Sequence, residues 1–240
     1  MSELVTYTRS GAIGRIVMDD GKVNVMSLRM LSALHAAFDR AEADRVVALL
    51  TGRDGCFSAG FDLKVFAQGS AEDIQALLRS GAELARRLLS FPTPVLAACN
   101  GHAYPMGAFL LLSADLRIGA DGPYRIGLNE VAIGIPVPRF AIEIARHRLT
   151  PAAFNRTTTG DMFSPGEALA AGFLDRVTPA ADLAAAADDA AERLAKLSPG
   201  AHQATKALVR GAALAAVRAA IDAELTLESA RKTVAGRSAG

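Results

Sequence analysis

Residues 4–8 and 13–18 alternate apolar and polar side chains, with Ser10-Gly11 between them. Alternation with period two predicts two strands joined by a turn. A polar loop follows at residues 19–22. Ser27 then stands ahead of a stretch reaching about residue 43, where Leu28, Leu31, Leu34 and Phe38 recur at helical spacing. This predicts a capped helix with those four side chains facing inward. Residues 46–50 read as a short buried strand. Residues 72–89 place Leu77, Leu78, Leu84 and Leu88 on one helical face, and Pro92 and Pro94 end that helix. Residues 94–99 form a further apolar run. A turn of small residues follows, and residues 107–114 return to helical spacing. Strand, loop and helix thus recur, which predicts a wound α/β core.

Beyond about residue 150 the pattern is helical. Thr150-Pro151 and Ser164-Pro165-Gly166-Glu167 are helix starts, the second a capping box with proline at the first helical position. Gly172 stops that helix. Residues 182–197 and 199–233 are alanine-rich helical stretches with broad apolar faces that must pack on something. Residues 234–240 are small and polar and are expected to fray. There is no internal repeat and no flexible linker.

A chain of 240 residues makes one large domain or two small ones, and at 51% hydrophobic it can bury a large core. Aromatic residues are only 5% and tryptophan is absent, so helices are expected to pack through small side chains. A net charge of +1 gives no basis for a nucleic-acid or membrane surface. Cys56 and Cys99 lie beside apolar segments and read as core residues rather than a disulfide framework. Residues 1–9 lack a signal-peptide apolar core, and no apolar run reaches the ~20 residues needed to span a bilayer. The expectation is a soluble cytoplasmic protein.

Two loops carry the candidate chemistry. Cys99-Asn100-Gly101-His102-Ala103-Tyr104-Pro105-Met106-Gly107 leads from a strand into the first turn of an apolar helix. Free N–H groups at such a helix start attract negative charge. The earlier loop Phe57-Ser58-Ala59-Gly60-Phe61-Asp62-Leu63 also follows an apolar strand. Either loop alone reads as an ordinary tight turn. Together they can each aim one N–H at a single oxygen, an oxyanion hole. Glu130 lies among Leu128, Val131, Ala132 and Ile133; it is either a solvated loop carboxylate or a proton carrier whose pKa is raised by desolvation. Ser58 lacks a G-x-S-x-G context. His35, His147 and His202 fall in helical stretches, while His102 and Tyr104 belong to the oxyanion loop. None has metal-ligand spacing, so no metal is expected.

The segments Phe57-Ser58-Ala59-Gly60-Phe61-Asp62-Leu63 and Asn100-Gly101-His102-Ala103 through Gly107, closed by Asp115-Leu116-Arg117-Ile118, resemble the paired signatures of the crotonase (enoyl-CoA hydratase/isomerase) superfamily. Ile126-Gly127-Leu128-Asn129-Glu130 through Pro136 fits the same superfamily, and the likeness runs from about Val5 to about Val209. It implies a spiral of ββα turns over residues 1–195, with a C-terminal helical region, 196–240, packing on the core and on neighbouring subunits of a trimer or a dimer of trimers. It implies an acyl-CoA thioester as substrate, with CoA part of that substrate and no separate cofactor.

The resemblance also assigns roles. The oxyanion donors would be the N–H groups of Ala59 and Met106; Pro105 has none but precedes the donor. Hydratases of this superfamily use two glutamates. The first position is Phe109 here, and the second is Glu130. One base and an oxyanion hole suit Δ3-Δ2-enoyl-CoA isomerisation, and the sequence is closest in motif to that branch, with Phe109 drying the pocket. Hydration, or another crotonase-type lyase activity, is the alternative; a non-catalytic acyl-CoA binder is a third reading that would not need Glu130. Lys22, Asn24 and Val25, with Gly60, Phe61, Asp62, Leu63 and Lys64, would cradle CoA, and Tyr104 and Phe109 would meet the acyl chain. Lys64 is either a phosphate contact or a solvated lysine. Asp62 reads as a loop-stabilising carboxylate and Asp115 as a strand-start residue.

Overall fold

The computed structural model describes residues 3–237. Strands β1 (Val5–Ser10) and β2 (Ile13–Met18) form the expected hairpin. After β3 (Val25–Met26), helix α1 (Leu28–Asp44) starts at Ser27, whose Oγ accepts the Met30 N–H. Strands β4 (Val47–Thr51), β5 (Gly55–Ser58) and β6 (Gly60–Phe61) lead to α2 (Leu63–Gln68) and α3 (Ala71–Ser90). The next turn is β7 (Val95–Cys99), β8 (Gly101–Ala103) and α4 (Pro105–Ser113). Strands β9 (Leu116–Ala120) and β10 (Ile126–Gly127) precede α5 (Arg139–Arg148) and α6 (Pro151–Arg156). The remainder is β11 (Met162–Phe163), α7 (Pro165–Ala171), β12 (Arg176–Thr178), α8 (Leu183–Ala195), α9 (Pro199–Glu224) and α10 (Leu227–Arg237).

Six strands form one sheet in the order β1-β2-β4-β7-β9-β12, parallel throughout after the hairpin. A second sheet, β11-β10-β8-β5, is parallel except for β11. Three successive turns, from β4, β7 and β9, therefore each give one strand to each sheet before the next helix, while β3 pairs with β6 in a small sheet of their own. The large core lies between the sheets and α1, α3, α4, α5 and part of α9. A smaller core lies under α8 on the other face of the large sheet.

Helix α4 is the buried axis of this arrangement. All nine of its residues are buried, as its unbroken apolar sequence demands. A buried helix end needs partners for its last carbonyls. Two arginines supply them. Arg148 of α5 donates to Leu112 O and Ala114 O. Arg210 of α9 donates to Ser113 O at 3.1 Å and Ala114 O at 3.2 Å. Asp115 starts β9, as expected, accepting the Val95 N–H at 2.8 Å. It also pairs with Lys206 at 2.7 Å and Arg210 at 2.8 Å, locking α9 to the core.

Several expectations are corrected. Leu28 is 36% exposed, because it occupies the first helical position rather than the inward face. Helix α2, only six residues long, is not marked by the sequence pattern, whereas α5, the helical stretch that holds His147, has a polar, arginine-rich sequence. The helical stretch 199–233 is two helices, broken at Leu225-Thr226. Residues 234–237 continue α10 instead of fraying, and 238–240 lie outside the described residues. Cys56 and Cys99 are buried and free. No helix among the described residues is long and apolar enough to cross a membrane.

Candidate active site

The second sheet aligns the ends of three successive turns. Ser58 pairs with Ala103, Ala103 with Ile126, and Ile126 with Phe163. The chain leaves this row in three parallel exits. Phe61 follows Ser58 by three residues, Met106 follows Ala103 by three, and Glu130 follows Ile126 by four. The register thus gathers residues that are far apart in sequence.

The first exit is held from below. Asn24 is fully buried with a left-handed φ of 52°. Its amide group donates to Met18 O at 3.0 Å and to Cys56 O and Phe57 O at 3.2 Å each. The Ser58 hydroxyl donates to Asn24 O at 2.8 Å and accepts the Gly60 N–H at 3.1 Å. The Asp20 carboxylate takes the N–H groups of Lys22, Asn24 and Val25. Partial burial alone would raise the Asp20 carboxyl, but those N–H bonds outweigh it and hold it below its ordinary value. The Asn24 side chain is therefore committed to protein carbonyls, and the expectation that it cradles CoA is corrected.

The expected donor Ala59 is corrected as well. Its N–H is given to Val23 O at 2.9 Å. Gly60 and Phe61 run parallel to Val25 and Met26, and Asp62 N–H reaches Met26 O at 3.3 Å. Successive N–H groups of a strand point to opposite sides, so Phe61 N–H is turned away from β3. It is the available donor of this loop.

The second exit provides the other. Tyr104 N–H is donated to Ser58 O, which ties the two loops together at 2.9 Å. Pro105 opens α4, and Ala108 is the first residue to donate back, to Tyr104 O. Met106 N–H therefore lies in the first turn, where a helix offers no acceptor. A methyl group on Gly60 would sit 3.7 Å from Met106 N. The bare Gly60, at φ 89°, keeps the space before that N–H open.

The third exit brings the carboxylate. Glu130 is 6% exposed, and its Oε2 is buried without a hydrogen-bond partner. Burial pushes its pKa from 4.5 to about 7, and a bond from its own backbone offsets only part of this. The sequence placed the cause in the surrounding apolar loop. In the structure Val131 and Ile133 turn outward, while Leu128 joins the core. Phe109 is fully buried and stands edge-on to Phe140, with ring centroids 5.5 Å apart. The other expected contacts spread around the first exit. Lys22, Leu63 and Lys64 are exposed, and Val25, Phe61, Asp62 and Tyr104 are half-buried. Asp62 caps α2, accepting the Lys64 N–H at 3.0 Å. His102 accepts the Arg125 N–H at Nδ1, 3.0 Å away. Among the described residues no three His, Cys, Asp or Glu side chains are grouped to hold a metal ion.

The profile of the enoyl-CoA hydratase/isomerase family matches residues 8–238. The chain is 33% identical to human mitochondrial enoyl-CoA delta isomerase 1 over 195 residues, 79% of this chain and 65% of that protein's length. It is also 33% identical to carnitinyl-CoA dehydratase of Salmonella typhi, over 88% of this chain and 81% of the relative. A family member from Pseudomonas syringae superposes with TM-score 0.90 at 46% identity, covering 92% of this chain and 96% of the other. The Mycobacterium tuberculosis enoyl-CoA isomerase gives TM-score 0.88 at 46% identity, covering 92% and 97%.

The fold defines the crotonase class, a ββα spiral with a C-terminal helical region. The chain belongs to the enoyl-CoA hydratase/isomerase family of acyl-CoA enzymes.

Proposed function

We propose that this protein is an enoyl-CoA isomerase that moves a double bond from the 3- to the 2-position of an acyl-CoA. The observation that carries this reading is the buried carboxylate of Glu130, with Phe109 standing where a hydratase would need its first glutamate. In this reading the thioester oxygen lies before the N–H groups of Phe61 and Met106. Glu130 takes a proton from C2, and the electron pair spreads over the dienolate, whose oxygen the two N–H groups stabilise. The same carboxyl returns its proton to C4. The double bond then lies between C2 and C3, and Glu130 is again ionised. A pKa of about 7 suits a group that must both take and give a proton near neutrality. The dry, edge-on pair of Phe109 and Phe140 keeps water from the dienolate.

Lys22, Val25, Leu63 and Lys64 lie around the first exit, where CoA would pass. The exposed Leu208, 86% accessible, and Val209 on α9 support assembly into a trimer or a dimer of trimers. The second reading is hydration or dehydration, favoured by the likeness to carnitinyl-CoA dehydratase. Incubation with 3-enoyl-CoA and 2-enoyl-CoA panels separates the two. Isomerisation yields conjugated thioester absorbance from the 3-enoyl compounds; rapid formation of 3-hydroxyacyl-CoA from the 2-enoyl compounds would overturn it.

A further inference from the structure

Gly81 lies in the middle of α3 and is buried. Glycine inside a helix costs about 0.5–1 kcal/mol relative to alanine, so its presence there calls for a local reason. A methyl group on Gly81 would lie 2.5 and 2.6 Å from Phe61 Cε1 and Cζ, and 3.1 Å from Met106 Sδ. Carbon atoms in contact normally stand ~3.5–4.0 Å apart. The two side chains that meet over this one α-carbon belong to the two residues whose N–H groups form the proposed oxyanion hole.

We propose that Gly81 is a positioning residue for the reaction: its bare α-carbon seats the Phe61 ring and the Met106 thioether at one point of α3 and so fixes the distance between their two N–H groups. The proposal rests on the isomerase reading's choice of donors. Each donor is already tied on its own side. Phe61 is held by the β3 ladder and packs edge-on to Phe66, centroids 6.2 Å apart. Met106 is held by the buried start of α4. Neither of these attachments relates one donor to the other across the oxygen site. Gly81 does, because both side chains rest on it. An alanine there must push the ring or the thioether by about 1 Å, and a misplacement of that size can cost ~10²-fold in rate.

The test uses 2,4-hexadienoyl-CoA labelled with carbon-13 at the thioester carbonyl, bound to the full chain and read by difference infrared spectroscopy. Two N–H bonds lower the carbonyl frequency; packing elsewhere leaves it unmoved. In Gly81→Ala we expect at least half of that lowering to vanish, kcat to fall by about 30–100-fold, and KM to stay within about threefold. The double variant Gly81→Ala/Phe61→Leu, which trims the colliding ring, should regain most of the lowering. An undiminished lowering in a folded Gly81→Ala overturns the proposal. If Gly81→Ala does not fold, the double variant decides, and a folded double variant without the lowering overturns it. A wild-type protein that binds the probe with no lowering would sink the choice of donors itself, and Gly81's role with it.

Discussion

Tyr104 donates its backbone N–H to the Ser58 carbonyl at 2.9 Å, and this one bond joins two loops 46 positions apart in the chain. Ser58 ends β5 and Tyr104 follows β8, so the bond extends the ladder between those strands by one step. Beyond it the chains diverge, one toward Phe61 and the other into α4. The space between them is the proposed oxyanion site, and the Ser58–Tyr104 bond closes its base.

Gly60→Ala tests that space directly. The new methyl would stand 3.7 Å from Met106 N, where the thioester oxygen must lie. It also meets a backbone φ of 89°, which costs a non-glycine residue about 1–3 kcal/mol. We expect kcat/KM to fall by at least ~10², with a modest drop in Tm measured by circular dichroism.

Glu130→Gln separates chemistry from stability. Burial raises the folded-state carboxyl from 4.5 to about 7. Between those values the folded chain keeps a proton that the unfolded chain has released, so stability falls as pH rises through this window. Above about pH 7 the full cost, about 3 kcal/mol, is present. The amide carries no charge to bury. Urea titrations should show no gain near about pH 4 and a gain of about 2–3 kcal/mol near about pH 8. Isomerisation should drop by several orders of magnitude in the same variant, and the wild-type kcat/KM should rise with pH through an apparent pKa of about 7.

Asn24→Ala distinguishes a ligand contact from a strut. The side-chain amide serves the carbonyls of Met18, Cys56 and Phe57, and alanine would also inherit the φ of 52°. A loss of about 2–4 kcal/mol is expected from chemical denaturation. In the folded variant, calorimetry should find acyl-CoA affinity within about threefold of wild type; a much larger loss would make Asn24 a direct contact.

Arg210→Met removes the guanidinium that serves the carbonyls of Leu89, Ser113 and Ala114 and pairs with Asp115. Breaking a buried pair typically costs ~3–5 kcal/mol. Lys206 still holds Asp115, so about 3 kcal/mol is expected, read as a lower urea midpoint.

Local chemistry made much of this molecule legible in the sequence. Period-two alternation gave the β1–β2 hairpin, leucine spacing gave α1 and α3, and the Ser164–Glu167 capping box gave the start of α7. The unbroken apolar run after Pro105 announced a buried helix, and Glu130 stood out as a carboxylate in apolar company. These are properties of neighbouring residues, and short-range patterns encode them.

The tertiary structure decided which groups are free and which are spent. Ala59 and Phe61 look equally able to donate until the ladder with β3 and the Val23 carbonyl divide them. Asn24 reads as a polar loop residue until three carbonyls from two strands converge on it. A lone glycine at position 81 inside a leucine-rich helix was a signal in the sequence. Its meaning is set by Phe61 and Met106, which only the spiral brings to it. A sequence fixes what each backbone and side-chain group is able to donate or accept. Which partner claims the group depends on strand register and helix packing between distant segments, and in this chain those long-range pairings determine where the open N–H groups lie.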